Sequence, residues 1–484
     1  MVGVWRSSRS VFFLLASSLA LILAGGCAAK GGQARFDESG LFPEKSGAPV
    51  TSLARGAATG GSARTAAAGA KVLRLELATI MTAAGASDLE IEKARIWVRK
   101  LDHHLELAEA RFFPDLRPGI SFRVRNGQYI DTRGAFVDVN RQETIAGLRS
   151  VLRLPLGEAL YGLDEAKTRR RGGKDYLETV KRERVLKAVI GYFDLLAAAQ
   201  EIAIADEALA FAAGLLAYHE SRRRAGVGLE ADVASARAER EAANMEKARS
   251  ELGFREASLR LSTQLRMNPR VVLYPAEERA ELLASPEANG SVEDLVKRAL
   301  ASNPSLKVAR NELAAADIRV AAAENAWKIP NVVFEALLDE RGEHPGRFGG
   351  TGEFFAGLEW KLDVGIGARK RSAAADRDRA AVDFAGAREH LVAAVIGLHD
   401  KTRLSRRLVE ASAVRIRAAE SVLELAQSKM RNGAGLLVEV LDARLHLTEA
   451  RLARLRAVTE HNQSQVTLQV LAGQSLQGAG RMSK

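Results

Sequence analysis

The clearest pattern of apolar and polar positions lies at residues 354–364. Apolar side chains occupy every second position from Phe354 to Val364, and the positions between them include Glu359, Lys361 and Asp363. A period of two places alternate side chains on opposite faces of a β-strand. The segment is therefore predicted to form a strand with one apolar and one polar face.

A second segment with this alternation lies at residues 146–154, and a shorter apolar run precedes each of the two, at residues 120–124 and 332–337. Glycine-rich polar segments separate the members of each pair, so two β-hairpins are predicted. The first hairpin region is about ten residues longer than the second, and we place the extra residues in a loop at residues 126–142.

Alanine-rich stretches with helical periodicity run over about 65 residues each, at residues 160–224 and 367–431. A single helix of that length would extend for on the order of 95 Å. Such lengths indicate coiled-coil packing. Gly172 and Gly173 are expected to break or kink the first helix near its start.

Each long stretch ends in a glycine pair, Gly226 and Gly228 in the first and Gly433 and Gly435 in the second. Glycine adopts the positive φ angles that terminate helices, so each pair is predicted to form the tip of an antiparallel helical hairpin. A heptad series then starts the helix after the second pair. Its members are Val438, Leu441, Leu445, Thr448, Leu452 and Leu455. Because the two tips share their pattern, the chain is predicted to be a duplication.

The first 26 residues have the form of a secretory signal, with Arg6 and Arg9 before an apolar run at residues 11–24. That run is shorter than the roughly 20 residues of a transmembrane helix. The segment at residues 27–85 is rich in glycine, alanine and serine over most of its length. It is predicted to be a tether without a core of its own.

Cys27 is the only cysteine of the chain and follows small residues. It resembles the acylated cysteine of bacterial lipoproteins, which makes it a candidate for lipidation; an ordinary cleaved signal is the alternative. Ala28 stands where lipoproteins of the inner membrane typically carry aspartate. The resemblance therefore points to the outer membrane.

The net charge of +11 is interspersed in sign along the helical segments, which is typical of a solvated surface and argues against a nucleic acid partner. A basic run at residues 167–171 is interpreted as a solvated helix start, with a contact to lipid headgroups as the alternative. The histidines are scattered and are interpreted as surface residues, and no serine has a nucleophile-elbow setting. We therefore predict no enzyme, no metal site and no cofactor.

Strands of about 9 to 11 residues with one apolar face suit an outer-membrane barrel. Soluble sheets show the same alternation. Four strands are fewer than the roughly eight of the smallest common membrane barrel, and open edges in lipid would leave backbone groups unpaired. If the strands span a membrane, the protein must be an oligomer.

Over residues 86–473 the chain resembles the TolC-like outer-membrane efflux channels. The motifs that carry the resemblance are Ala-Ser-Asn-Pro-Ser-Leu at 301–306, Ala-Trp-Lys-Ile-Pro at 326–330, Lys-Leu-Asp-Val-Gly-Ile-Gly at 361–367 and the two tips. The resemblance implies a mainly α-helical fold with a membrane β-barrel portion. It further implies a homotrimer that forms a twelve-stranded barrel and a helical tunnel in the periplasm.

The resemblance also assigns roles to residues of the two tips. It implies that a periplasmic adaptor protein, which works with an inner-membrane pump, docks on the tips. The docking residues would be Val227, Gly228, Leu229, Gly433, Ala434, Gly435 and Leu436. It further implies that Glu439 and Asp442, with Asp232 in support, ring a periplasmic constriction; a role limited to the helix dipole is the alternative.

The predicted organisation is a signal at residues 1–26, the tether at 27–85, two efflux-protein repeats at 86–273 and 274–473, and a tail at 474–484. The strands are expected at about 116–155 and 331–364, and the tips at 224–233 and 431–440. We expect a passive channel of a tripartite efflux or type I secretion system in the outer membrane. A structural coiled-coil lipoprotein, either a scaffold or an adhesin without a pore, is the alternative.

Overall fold

The computed structural model describes residues 72–283, 291–342, 348–361 and 364–473. Cys27, residues 27–71 of the predicted tether and the predicted tail lie outside these ranges. The described residues form six strands and eight helices. The fold is mainly helical with one four-stranded sheet, which confirms the predicted fold class.

The first half of the chain comprises β1 (Val72–Leu75), α1 (Leu77–Ser87), α2 (Leu89–Ala110), β2 (Asp115–Ile130), β3 (Phe136–Pro155), α3 (Leu156–Arg224) and α4 (Glu230–Gln264). The second half comprises β4 (Val272–Pro275), α5 (Val292–Ser302), α6 (Pro304–Asn325), β5 (Asn331–Gly342), β6 (Phe348–Glu359), α7 (Ile366–Arg431) and α8 (Leu437–Leu471).

The helix lengths repeat between the two halves. α2 and α6 have 22 residues each, α3 and α7 have 69 and 66, and α4 and α8 have 35 each. α2 and α6 also begin alike, because Asp88 accepts a hydrogen bond from Glu90 N at 2.7 Å and Asn303 accepts one from Ser305 N at 2.9 Å. The duplicated sequence thus builds the same series of elements twice.

β2, β3, β5 and β6 form one antiparallel sheet in that order. Because paired residues share a face, the register places all even-numbered residues of these strands on one side and all odd-numbered residues on the other. The even-numbered side, called the apolar face below, includes Leu116, Ile120, Phe122, Val124, Leu148, Leu152, Phe334, Leu338, Phe354 and Leu358. Ile120 and Phe354 are 77% and 71% exposed, so the described residues leave much of this face uncovered, whereas Leu154, close to the start of α3, is buried.

The odd-numbered side, called the polar face below, carries most of the charges of the sheet. Glu335 accepts hydrogen bonds from Arg149 and Arg153, each at 3.1 Å. Asp339 lies 2.8 Å from Arg341. Ion pairs therefore lie along the polar face, and those of Glu335 connect β5 with β3.

The predicted loop at residues 126–142 is wrong. β2 and β3 stay paired as far as Ile130 with Phe136, and only a short turn joins them. The Asp131 carboxylate accepts hydrogen bonds from Arg133 N and Ala135 N, both at 2.9 Å, and stabilises this turn. The extra residues of the first repeat lengthen the strands instead of the loop.

Two other boundaries differ from the predictions. The strand predicted at residues 354–364 ends at Glu359, because its partner β5 begins at Asn331 and pairs that residue with Glu359. Residues 72–85 of the predicted tether are folded: β1 pairs in parallel with β4, and Ile80 of α1 is fully buried in the core.

α3 is continuous through Gly172 and Gly173, so the predicted break does not occur. A Cβ on Gly173 would lie 2.4 Å from Leu101 Cδ1, which shows that this glycine allows α2 to approach α3 closely. Among the described helices, α3 is the one long and apolar enough to cross a membrane, but 44% of that window is buried within the protein. Its Tyr192 and Phe193 belong to the largest core cluster, with residues of α1, α4 and β4.

Gly147 of β3 should tolerate no side chain. It pairs with Asp339, and a Cβ at this position would lie 2.6 Å from Leu338 O. We expect Gly147→Ala to lower the free energy of unfolding by about 1 to 3 kcal/mol, as overpacking does. The temperature at which the detergent-purified protein loses its folded gel mobility measures this effect. Gly119→Ala is the matched control, because Gly119 pairs with Gly147 and faces open space; equal shifts for both variants would contradict the expectation.

Candidate functional site

Each tip contains a tight turn, at residues 225–229 in the first tip and 432–436 in the second, and the second residue of each turn is a left-handed glycine. Gly226 has φ 77° and Gly433 has φ 75°. Val227 N then donates a hydrogen bond to Arg222 O at 3.1 Å, and the equivalent bond of the second tip is 2.9 Å long. These bonds satisfy carbonyls at the end of each long helix in a Schellman cap.

The second glycine of each tip lies against the helix that has just ended. A Cβ on Gly228 would lie 2.7 Å from Arg223 N, and a Cβ on Gly435 would lie 2.8 Å from Met430 N. Backbone atoms cannot move aside as a flexible side chain can. A substitution at either glycine therefore changes the turn itself.

The other predicted docking residues face outward. Val227, Leu229 and Leu436 are 66%, 67% and 65% exposed, and Ala434 is also exposed. The seven predicted docking residues thus divide into glycines that shape the turns and apolar side chains that the turns present. An apolar surface on a tight turn suits a partner protein better than water.

Glu439 and Asp442 lie together on an exposed side of α8, just after the second tip. Asp442 Oδ2 is 3.5 Å from His446 Nε2, and His446 Nδ1 is 3.6 Å from Glu449. The acidic stripe therefore extends over about three helical turns, further than the sequence predicted. The spacing of four residues between Asp442 and His446 was the signal that could have shown it.

Asp232 has a partner within the first hairpin. Its Oδ2 lies 3.8 Å from Nδ1 of His219, which is buried on α3. No contact joins Asp232 to Glu439 or Asp442 among the described residues. The structure therefore brings together two of the three predicted constriction residues.

Two histidines are buried, which corrects their interpretation as surface residues. His219 and His461 are each 3% exposed. His461 Nδ1 lies 3.1 Å from Thr402 O and 3.2 Å from Ser405 Oγ. Burial lowers the pKa of both histidines, because the charged form loses its hydration.

The buried seam of the second hairpin also differs from the predicted heptad series. Val438 and Leu445 are 63% and 55% exposed, whereas Val440 and Leu447 are buried. The seam runs through Val440, Ala443, Leu447 and Ala450, again with heptad spacing. The prediction missed it because it followed the row of leucines at residues 441, 445, 452 and 455, a register that passes over Ala443 and Ala450.

Arginines of α8 connect the two helical hairpins. Arg451 pairs with Glu207 of α3 and, at 3.1 Å, with Glu420 of α7. Two turns before it, the Arg444 guanidinium lies 5.1 Å from the centre of the Phe211 ring of α3. Since α3 packs against both α4 and α8, the two hairpins form one four-helix unit. No group of three or more His, Cys, Asp or Glu side chains arranged to hold a metal occurs in the described ranges.

A family model described as outer membrane efflux protein matches residues 81–265 and 295–474, which together make up most of the chain. The chain belongs to the outer membrane efflux protein family. The similar structures described below are outer-membrane channels. The match spans both repeats and both tips. A comparison with curated proteins found no match.

Solved structures of outer-membrane channels have the same fold. The outer-membrane channel OprN is 21% identical, with a TM-score of 0.75, and the match covers 83% of this chain and 90% of OprN. The CmeC channel of Campylobacter jejuni is 16% identical with a TM-score of 0.72, covering 82% and 85%. The open state of the MtrE channel of Neisseria gonorrhoeae is 16% identical with a TM-score of 0.69, covering 83% and 89%. This efflux protein therefore shares the architecture of these channels over nearly its whole described length.

The buried His219 should make the folded state sensitive to acid. Burial lowers its pKa, Asp232 offsets part of that shift, and Arg222 adds to it. The unfolded chain, with an ordinary histidine pKa of about 6.5, then binds more protons, so stability is full above about pH 6.5 and falls as the pH drops toward the lowered folded value. We expect His219→Gln to reduce the loss of thermal midpoint between pH 7.5 and pH 5.5, measured by circular dichroism. His390→Gln, at an exposed position of α7, is the control; an unchanged loss in His219→Gln would contradict this role.

Proposed function

We propose that three copies of this efflux protein form an outer-membrane duct that passively conducts substrates delivered by an inner-membrane pump through a periplasmic adaptor. The observation that carries the proposal is the four-stranded sheet. It has one exposed apolar face, one charged face and two free edges, β2 and β6. A sheet of this kind suits lipid on one side and water on the other, provided that its edges are paired.

Pairing β6 of one copy with β2 of the next would remove every free edge. The strands alternate in direction along the sheet, so β6 and β2 of neighbouring copies would also meet antiparallel. Three copies give a twelve-stranded closed barrel, within the range of natural membrane barrels. The apolar face would then contact lipid, and the polar face would line the interior.

The helices support the same arrangement. α4 and α7 are the outer helices of the four-helix unit, and both leave apolar side chains uncovered. Those of α4 recur every seven residues, and those of α7 follow a heptad pattern in part. They are Met245, Leu252 and Leu259 on α4, and Leu404, Leu408, Val422 and Leu425 on α7. Contact between α7 of one copy and α4 of the next would bury both rows and continue the ring below the barrel.

Two further parts of the proposal rest on the sequence. Acylation of Cys27 would anchor the chain to outer-membrane lipid. The system served would be a tripartite efflux or type I secretion assembly. The competing function is a scaffold or adhesin without a pore. Such a protein does not need a sheet with an exposed apolar face, whereas a membrane barrel does.

The oligomeric state tests the proposal directly. Purified in mild detergent, the protein should have the mass of a trimer by light scattering with detergent correction, and it should migrate differently on gels before and after heating. A stable monomer that stays soluble without detergent after removal of the lipid would refute the duct and favour the scaffold.

The apolar side chains of the first tip should be required for export and not for folding. We expect the double variant Val227→Asp with Leu229→Asp to abolish export, because both side chains are exposed and the change places charge on the docking surface. Accumulation of a fluorescent pump substrate measures export, and gel mobility shows whether assembly is intact.

Val382→Asp is the matched control, since Val382 is 71% exposed on α7 at a position far from the tips. Normal export by the double tip variant would refute docking at the first tip. Gly228 is unsuitable for this test, because a side chain there disturbs the turn.

Glu439 and Asp442 should set the ion selectivity of the duct. A threefold ring would place about six carboxylates at its mouth, which attract cations less strongly as ionic strength rises. We expect Glu439→Gln with Asp442→Asn to lower the ratio of cation to anion permeability and to weaken block by multivalent cations, as measured from reversal potentials. Glu424→Gln, an exposed acid of α7, is the control. Unchanged selectivity with a small loss of stability would instead show that the two acids serve the dipole of α8.

A further inference from the structure

The two free edges of the sheet carry opposite charges on the polar face. On the β2 side, Arg123, Arg125 and Arg141 surround the single carboxylate of Glu143, at 3.3, 3.9 and 3.9 Å. Arg123 and Arg125 of β2 thus share one carboxylate, which leaves an excess of positive charge at this edge. Arg117, nearer the start of β2, pairs only with Asp115 among the described residues.

On the β6 side the excess is negative. Glu353 and Glu359 are exposed, and among the described residues neither side chain has a hydrogen bond or an ion pair. Arg341 interacts electrostatically with Glu353, but its guanidinium already lies 2.8 Å from Asp339. The acids of β6 are therefore available to cations from outside the protomer.

The lengths of the two edges limit how they can pair. β6 has 12 residues and β2 has 16, so β6 pairs over its whole length in only a few registers. Paired residues must also share a face, which excludes every other register. The registers that remain place Glu353 opposite Ser121, Arg123 or Arg125.

Charge and geometry choose among these registers. With Glu353 opposite Ser121, Glu359 faces Asp115, and like charges directly opposite each other are destabilising. With Glu353 opposite Arg123, Glu359 faces Arg117, so both acids meet arginines. With Glu353 opposite Arg125, Glu359 faces Gly119 and only one pair forms.

Strand tilt gives a second criterion. Straight across the sheet of one protomer, Glu353 aligns with Leu337, Arg149 and finally Arg117. Pairing Glu353 with Arg123 of the next copy steps six residues along β2, which in a twelve-stranded ring gives a tilt of about 45°. Pairing with Arg125 would require about 55°, beyond the usual range for membrane barrels.

We infer that β6 of one copy pairs with β2 of the next with Glu353 opposite Arg123 and Glu359 opposite Arg117, so that two ion pairs set the register at each junction of the ring. This inference rests on the proposed trimer and adds the partner residues that join its copies. The pairs lie on the polar face, where they line the interior of the barrel. A shift of the register at a junction would separate the partners of both ion pairs.

Cysteine cross-linking tests the register. Glu353→Cys is combined in turn with Ser121→Cys, Arg123→Cys and Arg125→Cys, and each variant is oxidised in membranes and separated on a denaturing gel. We expect the Arg123 combination to form covalent dimers and trimers at least several-fold faster than the other two. The unmodified chain, which has only Cys27, is the background control.

The outcomes separate this inference from the proposed function. Fastest cross-linking by the Ser121 or Arg125 combination would overturn the register while the ring stands, and trimers that none of the combinations cross-links would overturn the pairing of these edges. The absence of any oligomer before oxidation would overturn both.

Charge reversal provides a second measurement for variants in which cysteine impairs folding. Glu353→Arg should lower the temperature at which the trimer dissociates, and adding Arg123→Glu should restore it. Adding Arg125→Glu instead is the register-shifted control and should not restore it. Equal restoration by both partners, or no effect of Glu353→Arg, would overturn the inference.

Discussion

The structure depends on one constraint: backbone groups at the edge of a sheet need hydrogen-bond partners, and lipid offers none. The sheet of this efflux protein has an uncovered apolar face, with Phe122 and Phe354 at opposite edges, and a charged face behind it. Burying the apolar face in lipid removes it from water, but this is feasible only if β2 and β6 are paired. Closure by further copies satisfies both requirements at once.

Because the chain is a duplication with unequal halves, closure by further copies would join the β6 edge of one copy to the β2 edge of the next. Each chain contributes two hairpins that are similar and not identical, so its two edges differ in length and in charge. β2 and β3 are 16 and 20 residues long, whereas β5 and β6 are 12 each. In the proposed assembly, unlike edges would join head to tail, and such contacts form a ring when the rotation between copies closes. The same asymmetry appears at the other end of the molecule, where one tip presents Val227 and the other Ala434.

Much of this architecture could be predicted from the sequence, because period-two and helical patterns report which side of each element is apolar. The tips were predictable since glycine adopts the positive φ of Gly226 and Gly433 without the steric cost that a Cβ brings. Strand ends were not, because a strand ends where its partner does, as Glu359 opposite Asn331 shows. The buried His219 and the alanine seam at Ala443 were missed since their burial depends on a second helix. The contact between Asp232 and His219 was missed for the same reason, because it depends on the packing of α4 against α3.

The central claim is that the polar face lines a water-filled pore while the apolar face meets lipid. Conductance of the purified protein in a planar bilayer tests it most directly. The account predicts stepwise current increases of uniform size without pump, adaptor or nucleotide, and no steps from protein whose oligomer has first been dissociated by heat. Protein that inserts into the bilayer as an intact oligomer and carries no current would contradict it.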